Sequence, residues 1–81
     1  MYENIEEPVQ VGAVFKGTAV KPKWFVWNNK KYTVKGVTYT WHSYEGEARL
    51  VNFSVSDGQG LYELSFNQKL LNWKLVRVWL E

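Results

Sequence analysis

Hydrophobic and polar residues alternate along most of this chain, which is the pattern expected for half-buried β-strands. In the first such segment, from Val9 to Thr18, the alternating apolar positions are Val9, Val11, Ala13 and Phe15. Pro8 stands at its entrance, where a missing N–H does little harm to a strand. No segment keeps a helical period, so the pattern predicts an all-β protein.

Turn-forming residues divide the chain into six alternating segments. Asn28-Asn29-Lys30 is typical of a tight hairpin, because Asn tolerates the positive φ that such a turn requires. Asp57-Gly58-Gln59-Gly60 predicts a second turn, and the link from Asn67 to Asn72 has room for one helical turn. The six strands are expected at residues 9–18, 23–27, 31–41, 50–56, 62–66 and 73–79.

The third segment changes its apolar parity. Tyr32 and Val34 are even-numbered, whereas Tyr39 and Trp41 are odd, and Gly36 lies at the change. A β-bulge at Lys35-Gly36 would keep both sets on one face and bend the sheet toward closure. We therefore expect a six-stranded antiparallel meander that curls into a small roll or an SH3-like, partly open barrel.

The last segment carries apolar residues at both parities, which indicates that both of its faces are covered. The apolar residues are Trp73, Leu75 and Trp79 at one parity and Val76, Val78 and Leu80 at the other. Either this strand is central in the sheet, or another chain covers it. The first interpretation is favoured, because a small domain must bury the apolar surface it has.

The length of 81 residues predicts one β domain over 1–81, with residues 1–7 as a flexible acidic segment. A hydrophobic fraction of 46% and a net charge of +2 indicate a folded chain that is not polybasic. The absence of Cys excludes disulfides, thiolate zinc sites and cysteine nucleophiles. The start has no signal-peptide pattern and no apolar run is long enough to span a membrane, so a cytoplasmic location without membrane contact is expected.

Few residues are suited to catalysis. His42 is the single His, without a metal-ligand spacing around it, and no G-x-S-x-G nucleophile motif occurs. Glu45 and Glu47 flank Gly46 in what reads as a solvated turn. Asp57-Gly58-Gln59-Gly60 leads into a strand, so it does not resemble a phosphate-binding loop before a helix. We expect a protein that is not an enzyme and that needs no metal or cofactor.

The placement of charge points to a binding surface. Residues 8–44 contain six Lys and no Asp or Glu, and large aromatic side chains are interleaved with them. Single-stranded nucleic acid is bound in this way, since Lys neutralises phosphates and aromatic rings stack on bases. The candidate contacts are Lys21, Lys23, Lys30, Lys31 and Lys35 for phosphates, with Trp24 or Trp27 for a base. Such binding would be weak, tolerant of sequence and sensitive to salt.

Two other interpretations remain open. In one, the rings fill the core and the lysines keep edge strands soluble. In the other, exposed aromatic residues such as Trp24, Trp27 or Trp79, together with the last strand, form a protein-interaction or homodimer surface. The number of Trp rings that face solvent decides between these interpretations.

Several motifs resemble a family of small bacterial β-domains of unknown function. They are Ile5 to Val11, Pro22-x-x-Phe25-x-Trp27-x-x-Lys30-x-Tyr32-x-Val34 with Val37 and Trp41 downstream, Tyr62-Glu-Leu64, and Trp73-x-Leu75-x-x-Val78. Members of that family occur alone or beside proteins related to Y-family DNA polymerases, so the resemblance implies a non-enzymatic module in a nucleic-acid context. Where the family often has Arg and Gly in the hairpin, this chain has Asn28-Asn29-Lys30-Lys31.

Overall fold

The computed structural model describes residues 1–17 and 19–79 and consists of strands and turns. Thr18, the last residue of the first expected strand, and Leu80, which follows the last expected strand, lie outside the described residues. The eight strands are β1 (Tyr2–Pro8), β2 (Gln10–Lys16), β3 (Ala19–Trp27), β4 (Lys30–Thr33), β5 (Gly36–Glu45), β6 (Ala48–Ser56), β7 (Leu61–Asn67) and β8 (Asn72–Trp79).

These strands form two antiparallel sheets. The large sheet has the order β1-β8-β7-β6-β5, and the small sheet has the order β2-β3-β4. The expectation that the last strand is central is confirmed, since β8 lies between β1 and β7. The terminal strand therefore offers no free edge to a second chain.

The all-β prediction is confirmed, but the expected six strands and the barrel are not. Residues 1–7 were expected to be flexible, but residues 2–7 belong to β1, which pairs with β8. Within the described residues, outside the strand ladders, single backbone hydrogen bonds connect the sheets at two corners: Val9 N–H to the Trp73 carbonyl and Lys35 N–H to the Ser56 carbonyl. The two sheets therefore do not close into a barrel.

The parity change near Gly36 has a different cause from the expected bulge. Residues 34–35 separate β4, in the small sheet, from β5, in the large sheet. The register shift of this region falls later, between Val37 and Tyr39, opposite Val55 and Ser54. Tyr39 and Trp41 consequently point away from the core side of the large sheet, whereas Tyr32 packs against the core.

The core lies between the sheets. Phe25 from β3 is fully buried against side chains of the large sheet. Its ring stacks on Tyr32 with centroids 5.0 Å apart and meets Tyr62 edge-on at 5.2 Å. The remaining buried members of this cluster are Val51, Phe53, Val55, Leu64, Leu75 and Val78. This single cluster holds the small sheet over the large one.

Both predicted turns form. Asn28 and Asn29 have φ angles of 53° and 62°, the left-handed values that a two-residue hairpin requires. At the second turn, an Asp57 carboxylate oxygen accepts hydrogen bonds from the N–H groups of Gln59 (2.9 Å) and Gly60 (2.8 Å). Its other oxygen accepts one from the Tyr62 hydroxyl at 3.0 Å. The link after β7 makes one turn, closed by Leu71 N–H on the Asn67 carbonyl.

Asp57 and Tyr62, which contact each other, both have pKa values that depart from their ordinary values. Desolvation raises the pKa of Asp57, but the hydrogen bonds from Gln59, Gly60 and Tyr62 together outweigh it, so the pKa lies below its ordinary value. Burial, followed by the hydrogen bond to Asp57 and its negative charge, raises the pKa of Tyr62 to about 12.

In the described part of the chain, no helix is long and apolar enough to cross a membrane.

Candidate nucleic-acid interface

The outer face of the small sheet carries most of the predicted lysines. Strand alternation places Val11, Ala13 and Phe15 of β2 toward the large sheet, so the residues between them face outward. Lys16 lies opposite Ala19, and Lys21 lies opposite Val14. We call the set Lys16, Lys21, Lys23, Trp24 and Lys31 the lysine face.

A register shift in β3 brings Lys23 to this face. The pairing passes from Gly12–Trp24 to Ala13–Pro22, which leaves Lys23 as the extra residue of a bulge. Pro22 and Phe25 are both buried, although their numbers differ in parity, and Lys23 is exposed between them. The bulge thus removes Lys23 from the face of Phe25 and Trp27, where strict strand alternation would place it.

Lys21 and Lys23 border two neighbouring grooves. One groove, of about 360 Å³, is lined by Val14, Lys16, Ala19, Lys21 and Lys23. The other, of about 350 Å³, brings the same two lysines together with Lys35 and is lined by Val34, Gly36, Val37 and Thr40 among others. Three of the predicted phosphate contacts therefore surround one concave surface.

Trp24 and Lys31 form a pair on the lysine face. The Lys31 ammonium lies 4.9 Å from the centroid of the Trp24 ring, a cation–π distance. Trp24 is half-buried and pairs with Gly12 on one side and Thr33 on the other. A Cβ atom at Gly12 would overlap its indole ring, so the ring lies directly on the backbone of β2.

Trp27 and Lys30 lie away from the lysine face. Trp27 packs against the core, and its indole N–H donates a hydrogen bond to a Glu7 carboxylate oxygen at 2.9 Å. The Lys30 ammonium lies 5.2 Å from the centroid of Tyr32, on the core-facing side of β4. A carboxylate beside Trp27 repels phosphate, so this ring is unsuited to the role that the sequence suggested.

The lysines from 16 to 35 make none of the ion pairs found within residues 1–17 and 19–79. Those pairs are Lys69–Glu47, Lys74–Glu6 and Arg77–Glu63. The three pairs neutralise cations on the large sheet and its turns. Among the described residues, the lysines of the small sheet are therefore not neutralised by ion pairs.

Two ring pairs, which include the exposed Tyr2 and Tyr39, lie on the outer face of the large sheet. Tyr39 stacks on Trp41 with centroids 5.5 Å apart, and Tyr2 meets Trp79 edge-on at 4.8 Å. The two ring pairs lie near a groove of about 230 Å³ lined by Tyr2, Tyr39, Trp41, Ser54 and Glu63 among others. Of the two indoles proposed from the sequence to stack on a base, Trp24 lies on the lysine face and Trp27 does not.

Sequence reasoning missed a cleft between the sheets. Phe15 and Val20 of the small sheet, Thr40 and His42 of β5, Arg49 of β6 and Gln68 line a space of about 640 Å³. The alternation of residues in β5 could have indicated this cleft. Thr40 and His42 lie opposite the buried Phe53 and Val51, on the core-facing side of the large sheet. Among the described residues, no group of His, Asp or Glu is arranged to hold a metal ion.

The comparisons with known proteins give this chain no relative. No family model matches it, and no curated protein or solved structure gives a significant match. The resemblance to small bacterial β-domains stays a prediction.

Proposed function

We propose that this protein is a non-enzymatic module that binds single-stranded nucleic acid through the lysine face and Lys35. The observation that carries the proposal is the convergence of Lys21, Lys23 and Lys35 on one groove, with Lys16 on the adjoining one. None of these lysines makes an ion pair in the described part of the chain. Phosphates of a flexible strand follow such a curved, cationic surface.

A single strand fits this surface better than a duplex. The lysines lie on a short sheet with grooves on both sides of β3, and residues 1–17 and 19–79 contain no helix to enter a major groove. Contacts that involve phosphates alone carry no sequence information. The proposed binding is therefore tolerant of sequence.

Fluorescence anisotropy of a labelled thymidine oligonucleotide tests the proposal. With about three phosphate contacts, the logarithm of the affinity should fall with the logarithm of salt with a slope of about −2. A tenfold rise in salt should then weaken binding about 100-fold. The proposal is contradicted if the oligonucleotide does not bind in about 20 mM salt, or if its affinity does not change with the salt concentration.

A second function, self-association, is favoured by the outer face of the large sheet. The Tyr39 side chain is 66% exposed beside Trp41, and β5 is an edge strand of that sheet. Exposed rings beside a free strand edge suit the pairing of two sheets. Sedimentation over a range of concentrations tests this, with Tyr39→Ser expected to abolish association.

The matched control for that experiment is Tyr44→Ser. Tyr44 is 70% exposed on the same strand, but strand alternation places it on the opposite face, across from Arg49. Loss of association in the Tyr39 variant alone assigns the contact to the ring groove. A wild-type protein that sediments as a monomer at every concentration excludes this second function.

A further inference from the structure

The cleft between the sheets exists because the small sheet covers only part of the large one. In the described chain, β5 pairs with β6 and with no other strand, and the β2–β3 hairpin lies across from it without a hydrogen-bond ladder. The floor of the cleft is formed by the buried side chains of Val51, Phe53 and Phe66. A volume of about 640 Å³ lies within the range of small-ligand sites.

Phe15 gives the cleft an exposed aromatic wall. Its side chain is 58% exposed, although strand alternation points it toward the core side. The ring meets Phe66 edge-on, with centroids 5.7 Å apart, so that its position is fixed while part of its surface stays open. A second cavity of about 520 Å³ continues beyond Phe15 and Phe66 to Leu71 and Trp73.

Polar groups surround this apolar floor. Thr40 and His42 come from β5, Arg49 from β6, and Gln68 from the turn after β7. The described lining contains no carboxylate, so the Arg49 guanidinium makes the cleft cationic. Donors and acceptors around an apolar floor, together with a cation, complement a heterocyclic ring that carries an anionic group.

We propose that this cleft holds one unpaired base of the strand bound by the lysine face. The base stacks on Phe15, its polar edge hydrogen-bonds Gln68 and Thr40, and Arg49 contacts the adjoining phosphate. Proteins bind splayed-out bases in this way, on aromatic and guanidinium surfaces. This inference rests on the proposed function and names the subsite that recognises the base.

The position of the cleft on the hairpin connects it to the lysines. Lys16 follows Phe15 in the chain, and Lys21 follows Val20, so each lysine lies on the opposite side of the hairpin from its neighbour in the cleft. A nucleic-acid strand that passes over the end of the β2–β3 hairpin can place its phosphates against the lysines. One of its bases can then enter the cleft. An alkyl chain would leave Thr40 and Gln68 without partners, which disfavours a lipid as the ligand.

The test compares a thymidine oligonucleotide with an abasic one of equal length, which keeps the phosphates and sugars and lacks the bases. The wild-type protein should bind the thymidine strand about tenfold more tightly, the effect expected of one stacked base. Phe15→Ser should remove this preference and leave the affinity for the abasic strand unchanged. Arg49→Gln should weaken binding of both strands several-fold.

Two matched variants control for general damage. Leu70→Ser removes another exposed apolar side chain, and Lys69→Gln removes another exposed cation, both on the turn outside the cleft. Both should bind the thymidine strand as the wild type does, and thermal melts should show that all four variants are folded.

The outcomes separate the two proposals. If neither strand binds in low salt, the proposed function fails and the cleft assignment fails with it. If both strands bind equally, or if Phe15→Ser keeps the preference for thymidine, the lysine face is supported and the cleft assignment alone is overturned.

Discussion

The indole ring of Trp24 lies so close to Gly12 that a Cβ atom on Gly12 would overlap it. The two residues are cross-strand partners in the small sheet. Only glycine at position 12 lets the Trp24 ring approach the backbone of β2 this closely. The Lys31 ammonium lies over the same ring. The integrity of the lysine face therefore depends on a residue that has no side chain.

Gly12→Ala should destabilise the protein by about 1–3 kcal/mol, because the half-buried indole must move and its packing is lost. If an oligonucleotide binds at the lysine face as proposed, it should shift the emission of Trp24, and the same change should weaken that shift. Urea unfolding and Trp fluorescence measure the two effects.

Gly36→Ala is the matched control for that substitution. A Cβ at Gly36 has nothing within 4 Å, and Gly36 does not have the positive φ of Gly17, Gly46 and Gly58. The free energy of unfolding of the Gly36→Ala variant should differ from that of the wild type by less than about 0.5 kcal/mol. Equal losses in both variants would show that the contact with Trp24 is not what makes Gly12 necessary.

Lys21→Gln/Lys23→Gln should reduce the salt dependence of oligonucleotide binding. Each phosphate contact on a single strand contributes about 0.7 to the slope, so the double variant should lower its magnitude by about 1.4. Lys69→Gln/Lys74→Gln removes the same charge from two lysines that are already paired with Glu47 and Glu6. A similar slope change in this control would mean that net charge, and not the lysine face, sets the affinity.

How the charges are grouped was predictable from the sequence, whereas their arrangement in space was not. An acid-free stretch from residue 8 to 44 predicts a basic region wherever its strands lie. The outward position of Lys23 depends on a bulge between Trp24 and Pro22, which no alternation pattern records. Three lysines converge on one groove for this reason.

The predicted number of strands was wrong, because the availability of a pairing partner decides whether a polar segment becomes a strand. Tyr2–Pro8 is rich in Glu and alternates poorly, yet it forms β1 along the free edge of β8. The parity change near Gly36 was visible, but a bulge and a crossing between sheets produce the same pattern. Local sequence does not distinguish these two causes, because the difference lies in long-range pairing.

The Trp27–Glu7 hydrogen bond joins the small sheet to the first strand of the large sheet, at 2.9 Å. Glu7→Ala should lower the free energy of unfolding by about 0.5–1 kcal/mol, since the contact is solvent-exposed. Glu3→Ala makes the same change in the same strand without a Trp partner. Urea unfolding of both variants measures the difference, and equal stabilities would assign no role to the hydrogen bond.

Asp57 should stabilise the protein in a pH-dependent way. Its pKa is lower in the folded state than the ordinary value of 3.8, so its contribution is full above pH 3.8 and is lost as the pH falls through the folded pKa. Asp57→Asn should be less stable than the wild type by about 1 kcal/mol at pH 7. This difference should shrink below pH 3.8, and a difference that stays constant down to pH 2 would contradict the assignment.

Tyr62 should show the complementary behaviour at alkaline pH. Its pKa rises from 10.0 to about 12 on folding, so its contribution to stability is full below pH 10 and is lost as the pH rises toward 12. Absorbance at alkaline pH should reveal a tyrosine that ionises near pH 12 in the wild type and is missing from Tyr62→Phe. Asp57→Asn removes the adjacent negative charge but keeps the burial, so Tyr62 should then ionise at a lower pH than in the wild type while remaining above 10.0. An unchanged ionisation in Asp57→Asn would show that burial alone sets the pKa of Tyr62.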